Sequence, residues 1–363
     1  MKLNCIKYLL FFSILCNTLI AQFTIDTSKR VNYLAIPVLF RTPETGWAYG
    51  LSGSLTFKTS NKHDTLTRTS VIQGLAIFSQ KEQNIQAIDA SIYFPKEKYI
   101  LYFQSNHSYF PDVFWGIGSN TENSNEEKYA FEQFNSSIHL KKKIAKHLFF
   151  GLMADYQNVL QLKYGTNSLL DQISLFGKTP YHVLGFGITT SYDTRNFTFW
   201  PTKGMFLQAQ ATSYSKGIAS DLSFNKVILE GRFFKSIYKN QILAFQFYNH
   251  STIGDTPFRS LATLGGTTNL RGFYQGRFKD KSMVSFIAEY RTFLVWKLSA
   301  VAFIGVGNVY QSIHTIQSSS IKHSFGGGLR ISILEKDKLN LRIDYGYSDK
   351  YNKGFYFTLG ECF

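Results

Sequence analysis

The stretch LGGTTNLRGFYQGRFKDKSMVSFIAEYR, residues 264–291, joins a glycine-bracketed loop to a strand whose side chains separate by parity. From Ser282 to Leu294 the even positions are mostly apolar, whereas the odd positions include Ser285, Glu289 and Arg291. In a water-soluble sheet the apolar face packs on a core. In a transmembrane barrel the apolar face meets lipid and the polar face lines the lumen.

Composition favours the barrel. Aromatic residues make up 17% of the 363-residue chain, with 34 Phe and 22 Tyr, whereas hydrophobic residues total only 44%. This combination is typical of strands that are apolar at alternate positions and carry aromatic rings at the membrane interfaces. Beyond the N-terminal region, no segment approaches the ~20 consecutive apolar residues of a transmembrane helix, which excludes a helical membrane protein.

Sixteen segments have the length and alternation of membrane-crossing strands. A soluble sandwich shows the same alternation, but it would not need so many strands with only 7 Pro. Long connections, such as 110–127, 160–179 and 251–281, alternate with short turns, as in outer-membrane barrels. We therefore predict an all-β fold, a transmembrane antiparallel β-barrel. Its strands are expected at 32–41, 46–58, 67–79, 84–95, 98–109, 128–141, 147–159, 180–192, 204–215, 221–234, 240–250, 282–294, 296–308, 321–333, 338–348 and 353–363.

The N-terminus has the pattern of an export signal. Lys2 and Lys7 precede an apolar stretch that ends near Ala21, and a short apolar run behind positive charge is typical of secretory signals. We predict a signal peptide at 1–21, a short N-terminal segment at 22–31 and one barrel domain at 32–363. A lipoprotein signal that uses Cys16 is the alternative, but Leu15 stands where such signals have a small residue.

Cysteine and charge narrow the class of protein further. Once the signal is removed, Cys362 is the remaining cysteine, so no disulfide is expected within the chain; we interpret it as a small strand residue rather than a reactive thiol. The net charge of +15 can indicate nucleic-acid binding, but the basic residues form no arm or basic helix. Positive charge at the rims suits anionic lipid head groups, so we predict outer-membrane lipid, and no nucleic acid, as a partner.

Arg271 lies in a connection of about thirty residues, longer than a turn requires. If this loop folds back into the barrel, Arg271 needs a carboxylate, because an unpaired buried guanidinium is costly. Glu289 is the nearest acid on the polar face, and a bidentate pair would hold the loop inside the lumen. The alternative is that Arg271 is a solvated loop residue and Glu289 one lumen charge among many.

Several motifs resemble one known family. Arg271-Gly272-Phe273 is similar to the Arg-Gly-Phe/Tyr loop signature of the BamA/TamA superfamily of outer-membrane assembly and translocation barrels, also called the bacterial surface antigen family. The resemblance implies that Glu289 pairs with Arg271 to lock the loop. It covers about residues 180–363, in the same order as in the family: Asp193-Thr194-Arg195-Asn196 with Pro201-Thr202-Lys203-Gly204, Phe286 to Arg291, Phe303 to Tyr310, Phe325 to Arg330 and Leu341 to Gly346.

The strand-turn motif has two interpretations. Asp193, Arg195, Pro201 and Gly204 match the family's turn between the eighth and ninth strands. An acid–base pair of Asp193 and Arg195 is the alternative, although turn stabilisation explains these residues better. Phe363 places an aromatic residue at the end of the last predicted strand, where it would serve as the C-terminal signal for insertion into the membrane. A buried edge residue is the alternative.

The chain departs from the family in two ways. Gly305 stands where the family has an aspartate in its F-x-D-x-G strand, so we expect a second acidic contact to Arg271 to be missing and the hold on the loop to be looser. The polypeptide-transport (POTRA) domains that usually precede such barrels are not found, so separate partner proteins would replace them. Enzyme motifs are also not found, and the eight His show no metal-ligand spacing. We predict no enzyme, catalytic residue, cofactor or metal.

The favoured function is assembly or translocation of polypeptide or lipid at the outer membrane, together with periplasmic or membrane partner proteins. A weakly closed seam between the first and last strands, where Pro37 removes a ladder donor, would provide the route. The alternatives are a passive channel for small solutes and a structural barrel that anchors partner proteins. An oligomer is compatible with each of them.

Overall fold

The computed structural model describes residues 31–60, 64, 67–312, 314, 317, 320–334 and 339–363. The predicted signal peptide at 1–21 and residues 22–30 of the predicted N-terminal segment lie outside the described residues, as does the turn at 335–338. Val31, which the prediction placed in that segment, is the first residue of the first strand.

The described residues form eighteen strands and five helical turns. None of these helical turns is long and apolar enough to cross a membrane. The strands are β1 Val31–Thr42, β2 Gly46–Phe57, β3 Ser70–Ser79, β4 Asn84–Tyr93, β5 Tyr99–Phe114, β6 Glu127–Ala145, β7 Leu148–Tyr164, β8 Tyr181–Asp193, β9 Gly204–Tyr214, β10 Phe224–Tyr238, β11 Gln241–Gly254, β12 Ala262–Leu264, β13 Phe278–Asp280, β14 Ser282–Val295, β15 Leu298–Tyr310, β16 Lys322–Leu334, β17 Leu339–Tyr347 and β18 Lys353–Leu359. The helical turns are Pro95–Glu97, Asn123–Asn125, Leu169–Gln172, Phe258–Ser260 and Gly266–Asn269.

Sixteen of the strands close into one antiparallel barrel, which confirms the predicted fold. Each strand pairs with its neighbour in sequence, except that β11 pairs with β14 and β1 meets β18. The other two strands, β12 and β13, form a small hairpin within residues 255–281. We call this connection the lumen loop, because it folds into the barrel as predicted.

Side chains along the barrel strands alternate in exposure, as the parity of the sequence predicts. On β14, Phe286 is 52% exposed, whereas Glu289 is 1% exposed and lies inside. The apolar set therefore faces lipid and the charged set faces the lumen, which is the arrangement of a transmembrane barrel.

Three strands exceed their predicted lengths by four residues or more. Strands β5, β6 and β7 contain 16, 19 and 17 residues, more than the ~9–11 needed to cross a bilayer. The strands extend beyond the membrane, where side chains that point inward do not have to be polar. There Phe114, Tyr129 and Phe131 pack with Phe258 and Leu261 of the lumen loop. The long-loop end of the barrel is covered by this cluster.

The last strand is shorter than predicted. Strand β18 ends at Leu359, and Gly360 takes the positive φ of +79° that lets the chain turn away from the sheet. Cys362 and Phe363 are then buried inside the barrel, each 4% exposed. Placing Phe363 on the last strand was therefore wrong, since the segment that follows β18 packs in the lumen; its role as an insertion signal stays a prediction.

Candidate functional site

Arg271, at the tip of the lumen loop, is 1% exposed and contacts two carboxylates. One guanidinium nitrogen donates to Asp344 on β17 at 2.7 Å, and the other donates to Glu289 on β14. The face of the guanidinium lies on the Phe303 ring of β15, with Cζ 3.5 Å from the ring centroid. Charge, hydrogen bonding and ring stacking thus all favour the docked loop.

The backbone next to Arg271 is held as closely as its side chain. Gly272 has φ +109°, a conformation that favours glycine, and its N–H donates to the Tyr356 hydroxyl of β18 at 2.9 Å. On β17, a Cβ added at Gly346 would lie 2.7 Å from the Gly272 nitrogen. The loop tip therefore touches the wall of the barrel at a position where only glycine leaves room.

Phe273 anchors the loop through apolar contacts. It is 3% exposed and packs edge-on against Phe278 of β13, with ring centroids 5.4 Å apart. Leu264, Leu270 and Met283 belong to the same buried cluster. These contacts give the loop a small core of its own within the lumen.

The two carboxylates belong to a wider group of buried charges, which we call the charge network. Glu289 also accepts from Arg291 at 2.9 Å, and Asp344 from Arg330 at 2.6 Å. Glu361 accepts from Arg330 at 2.7 Å. The network therefore holds four arginines and three carboxylates, all buried: Arg271, Arg291, Arg330, Arg342, Glu289, Asp344 and Glu361.

The second acidic contact contradicts the expectation of a looser hold on the loop. That expectation rested on Gly305, which lacks the family's aspartate, but Asp344 supplies the contact from another strand. Gly305 serves packing instead, since a Cβ there would lie 2.8 Å from Leu270 of the loop. The parity of β17 places Asp344 on the lumen face but does not say which arginine it meets.

The strand-turn motif forms a separate cluster at the short-turn end. Arg195 donates to Asp193 from its backbone nitrogen at 3.1 Å and from Nε at 2.9 Å, which closes the turn. Gly204 has φ +101° and lies against the backbone of Thr194, while Pro201 is buried in the same turn. None of the contacts of the described residues joins Asp193 or Arg195 to Arg271.

One residue of that turn does reach the charge network. The Cζ of Arg291 lies 5.0 Å from the Trp200 ring and 5.2 Å from the Phe363 ring. Arg291 also donates to the backbone oxygen of Phe363 at 3.1 Å. Sequence analysis did not connect these residues, because they lie far apart in the chain.

The far side of the lumen loop is pinned to the opposite wall. Arg259 donates to the Tyr129 hydroxyl at 2.9 Å, and Tyr274 donates to Asp112 at 3.0 Å. Arg277 donates to Thr121 at 2.7 Å. The loop therefore bridges the lumen, with its tip on β14–β18 and its base on β5 and β6.

The lumen loop also touches both sides of the β1–β18 seam. Gly272 contacts Tyr356 on β18, and the backbone nitrogen of Gln275 donates at 2.6 Å to Glu44, in the turn after β1. The seam itself pairs at Arg41 and Phe357, whereas β1 pairs with β2 along its full length. The loop thus contacts both sides of the junction that has the fewest paired residues among the described barrel strands.

Lys279 of the loop hairpin is a buried cation. The residue is 3% exposed. Its ammonium donates to Tyr129 at 3.2 Å and faces the Phe258 ring, with Asp112 and Arg259 close by. Burial lowers the pKa of Lys279 to about 8. Since the released lysine has a pKa near 10.5, the unfolded state binds more protons between those values, and stability rises with pH across that window.

We expect Lys279→Met to be more stable than the wild type at pH 7–8, by roughly 1–3 kcal/mol, because a buried charge is removed. The difference should shrink as pH rises from 8 to 10.5. Thermal unfolding of both proteins at several pH values measures it. A difference that does not change with pH would contradict the assignment to Lys279.

Comparisons with known proteins agree with the fold. The Omp85 superfamily domain matches residues 46–363. BamA from Haemophilus ducreyi lacking POTRA domains 1–3 is similar, with a TM-score of 0.58 and 12% identity over 92% of this chain and 70% of that one. CdiB from Escherichia coli has a TM-score of 0.58 and 12% identity, over 91% and 63% of the two chains.

CdiB from Acinetobacter baumannii is also similar, with a TM-score of 0.54 and 11% identity over 92% of this chain and 60% of that one. The chain thus spans 60% to 70% of the length of these solved structures. None of the curated proteins matches it in sequence.

Proposed function

Because the chain belongs to the Omp85 superfamily, we propose that it is an outer-membrane barrel that assembles or translocates polypeptide or lipid, together with partner proteins. The observation that carries this proposal is the seam: β1 and β18 pair at Arg41 and Phe357, and the lumen loop contacts both sides. A barrel that inserts a strand or releases a chain sideways needs one junction with few backbone hydrogen bonds to break.

The pairing of Arg271 with its two carboxylates regulates the opening of this junction. While Arg271 is paired with Glu289 and Asp344, the tip holds Tyr356 of β18 in place. Release of the tip would remove that contact at the same time as the contact to Glu44. Opening of the seam and undocking of the loop are therefore expected to occur together.

A passive channel is the second candidate, because the lumen beside the loop contains a cavity of about 640 Å³ whose walls include the polar side chains of Gln104, Asn106 and Gln133. Conductance of the purified protein in planar bilayers separates the two. The plugged lumen predicts small or flickering currents. Large, steady, ion-selective currents would support the channel instead.

Closing the seam covalently should abolish the proposed activity. Residues facing each other in an antiparallel ladder lie within disulfide range, so Arg41→Cys with Phe357→Cys should cross-link β1 to β18. We expect the oxidised double variant to lower the abundance of the same outer-membrane components that fall in a deletion strain, and reductant to restore them. Quantitative proteomics and lipid analysis of outer membranes measure both.

The two single-cysteine variants are the controls, since they cannot form the cross-link. Cys362 is buried and should not compete. If deletion leaves the protein and lipid composition of the outer membrane unchanged, or if the oxidised double variant behaves as the wild type does, the proposed function is wrong. Partners that co-purify from detergent-solubilised membranes would identify the cargo or the accessory proteins.

A further inference from the structure

A groove crosses the lipid-facing side of the barrel, over the strands β9 to β15. Strand pairing aligns two outward rows across β9, β10, β11, β14 and β15. The first row is Leu207, Gly231, Phe247, Phe286 and Val306, and the second is Met205, Phe233, Phe245, Ala288 and Ile304. Because Gly231 and Ala288 are small among large side chains, they leave a groove of about 460 Å³ between the rings.

One charge lies beside this groove. The next outward row towards the short turns is Lys235, Leu243, Tyr290 and Ala302, and Lys235 is exposed. The outward positions of these five strands are all described, and Lys235 is the single charged residue among them. None of the contacts of the described residues gives its ammonium an ion-pair partner.

A lysine on the lipid side of a barrel is unfavourable unless its ammonium reaches the head groups. Lys235 lies near the short-turn end, which faces the periplasm in outer-membrane barrels. Its ammonium can therefore reach the anionic head groups of the periplasmic leaflet, where each cation contributes about 1 kcal/mol. The site thus combines an apolar groove with a cation at its interfacial end.

The dimensions fit a lipid chain. Gly231 and Lys235 are four residues apart on one strand, which is roughly 13 Å at ~3.3 Å per residue. One leaflet contributes about 15 Å to a hydrocarbon core of ~30 Å. A chain whose head group lies at Lys235 therefore reaches Gly231 before it meets the bilayer midplane.

We propose that this groove is a binding site for one anionic phospholipid of the periplasmic leaflet. One acyl chain lies over Gly231 and Ala288, between the rings of Phe233, Phe247 and Phe286, and the phosphate lies at Lys235. An amphiphile with one negative end matches both the concave apolar surface and the single cation. The inference requires only a membrane-spanning barrel, so it stands or falls independently of the proposed assembly function.

Native mass spectrometry of the purified barrel, with phosphatidylglycerol or phosphatidylcholine added to the detergent, tests the proposal. Gly231→Phe fills the groove, and a Cβ there meets only ordinary contacts, the nearest at 3.4 Å. Lys235→Gln removes the charge. The control for Gly231→Phe is Gly74→Phe, at a lipid-facing glycine where an added Cβ meets nothing within 4 Å. The control for Lys235→Gln is Lys142→Gln, at an exposed lysine whose neighbours on the adjacent strands are Tyr99 and Phe150.

We expect the wild type and both controls to retain one phosphatidylglycerol in preference to phosphatidylcholine. Lys235→Gln should weaken this retention about fivefold, and Gly231→Phe should abolish it. Three results would overturn the proposal. The first is equal retention of the two lipids by the wild type, and the second is a loss of phosphatidylglycerol in the controls as large as in the groove variants. The third is a wild-type dimer that Gly231→Phe converts to a monomer, which would assign the groove to a second copy of the chain.

Discussion

Replacing Arg271 with alanine is expected to release the lumen loop and to lower the stability of the barrel by about 3–5 kcal/mol. The substitution removes the cation between Glu289 and Asp344, both 1% exposed. Two buried carboxylates then face each other without their shared partner, and the Phe303 ring loses its stacked guanidinium. The temperature at which the folded barrel unfolds, followed by its heat-modifiable migration on gels, measures the stability.

Limited proteolysis measures release of the loop. In the wild type, residues 262–280 are protected by burial, and in Arg271→Ala we expect cleavage there under conditions that leave the wild type intact. Arg277→Ala is the comparison on the same loop: it removes a guanidinium that pins the loop to Thr121 and Asn123 and stacks on Phe278, but it leaves both carboxylates at the loop tip paired. If Arg271→Ala keeps both wild-type stability and protease resistance, the loop is not locked by this residue.

The features that the sequence predicted are those encoded by local patterns. The sixteen strands follow from alternation within each segment, and the family predicted from the Arg271 loop and the motifs around it is confirmed. The pairing of Arg271 with Glu289 could be predicted because the two residues lie 18 positions apart and the motifs around them resemble those of the family. Parity indicated which side of β14 was polar, and loop length indicated that Arg271 had a role.

The features that the sequence missed depend on closure of the barrel. Asp344 lies 73 residues from Arg271, and the lumen face of a strand does not reveal which charge it meets across the pore. Phe355, Phe357 and Leu359 alternate as on a strand, and Phe363 has the same parity, but Gly360 turns the chain inward before it. The partner of a buried charge and the path of the last residues depend on contacts between distant segments of the chain. The periodicity of a single segment carries no information about those contacts.

Asp344→Asn is expected to destabilise the barrel about as much as Arg271→Ala, although it changes no volume. Asp344 accepts from Arg271 at 2.7 Å and from Arg330 at 2.6 Å, and it lies 3.6 Å from Arg342. Without this carboxylate, the four arginines of the charge network share two acids, and at least one guanidinium is left buried and uncompensated. We expect a loss of about 3–5 kcal/mol, measured by thermal unfolding as above.

The Asp344 and Arg271 variants should differ in the protease sensitivity of the lumen loop and should have similar losses of barrel stability. In Asp344→Asn the loop tip keeps its bond to Glu289, so protease sensitivity of residues 262–280 should rise less than in Arg271→Ala. Combining the two substitutions should cost less than the sum of the single effects, because both break the same contact.

Asp155→Asn is the control, since this lumen acid pairs with Lys226 at 2.8 Å outside the charge network. Additive losses in the double variant, or equal protection of the loop in all three single variants, would show that Asp344 does not hold Arg271, and the lock would then rest on Glu289 alone.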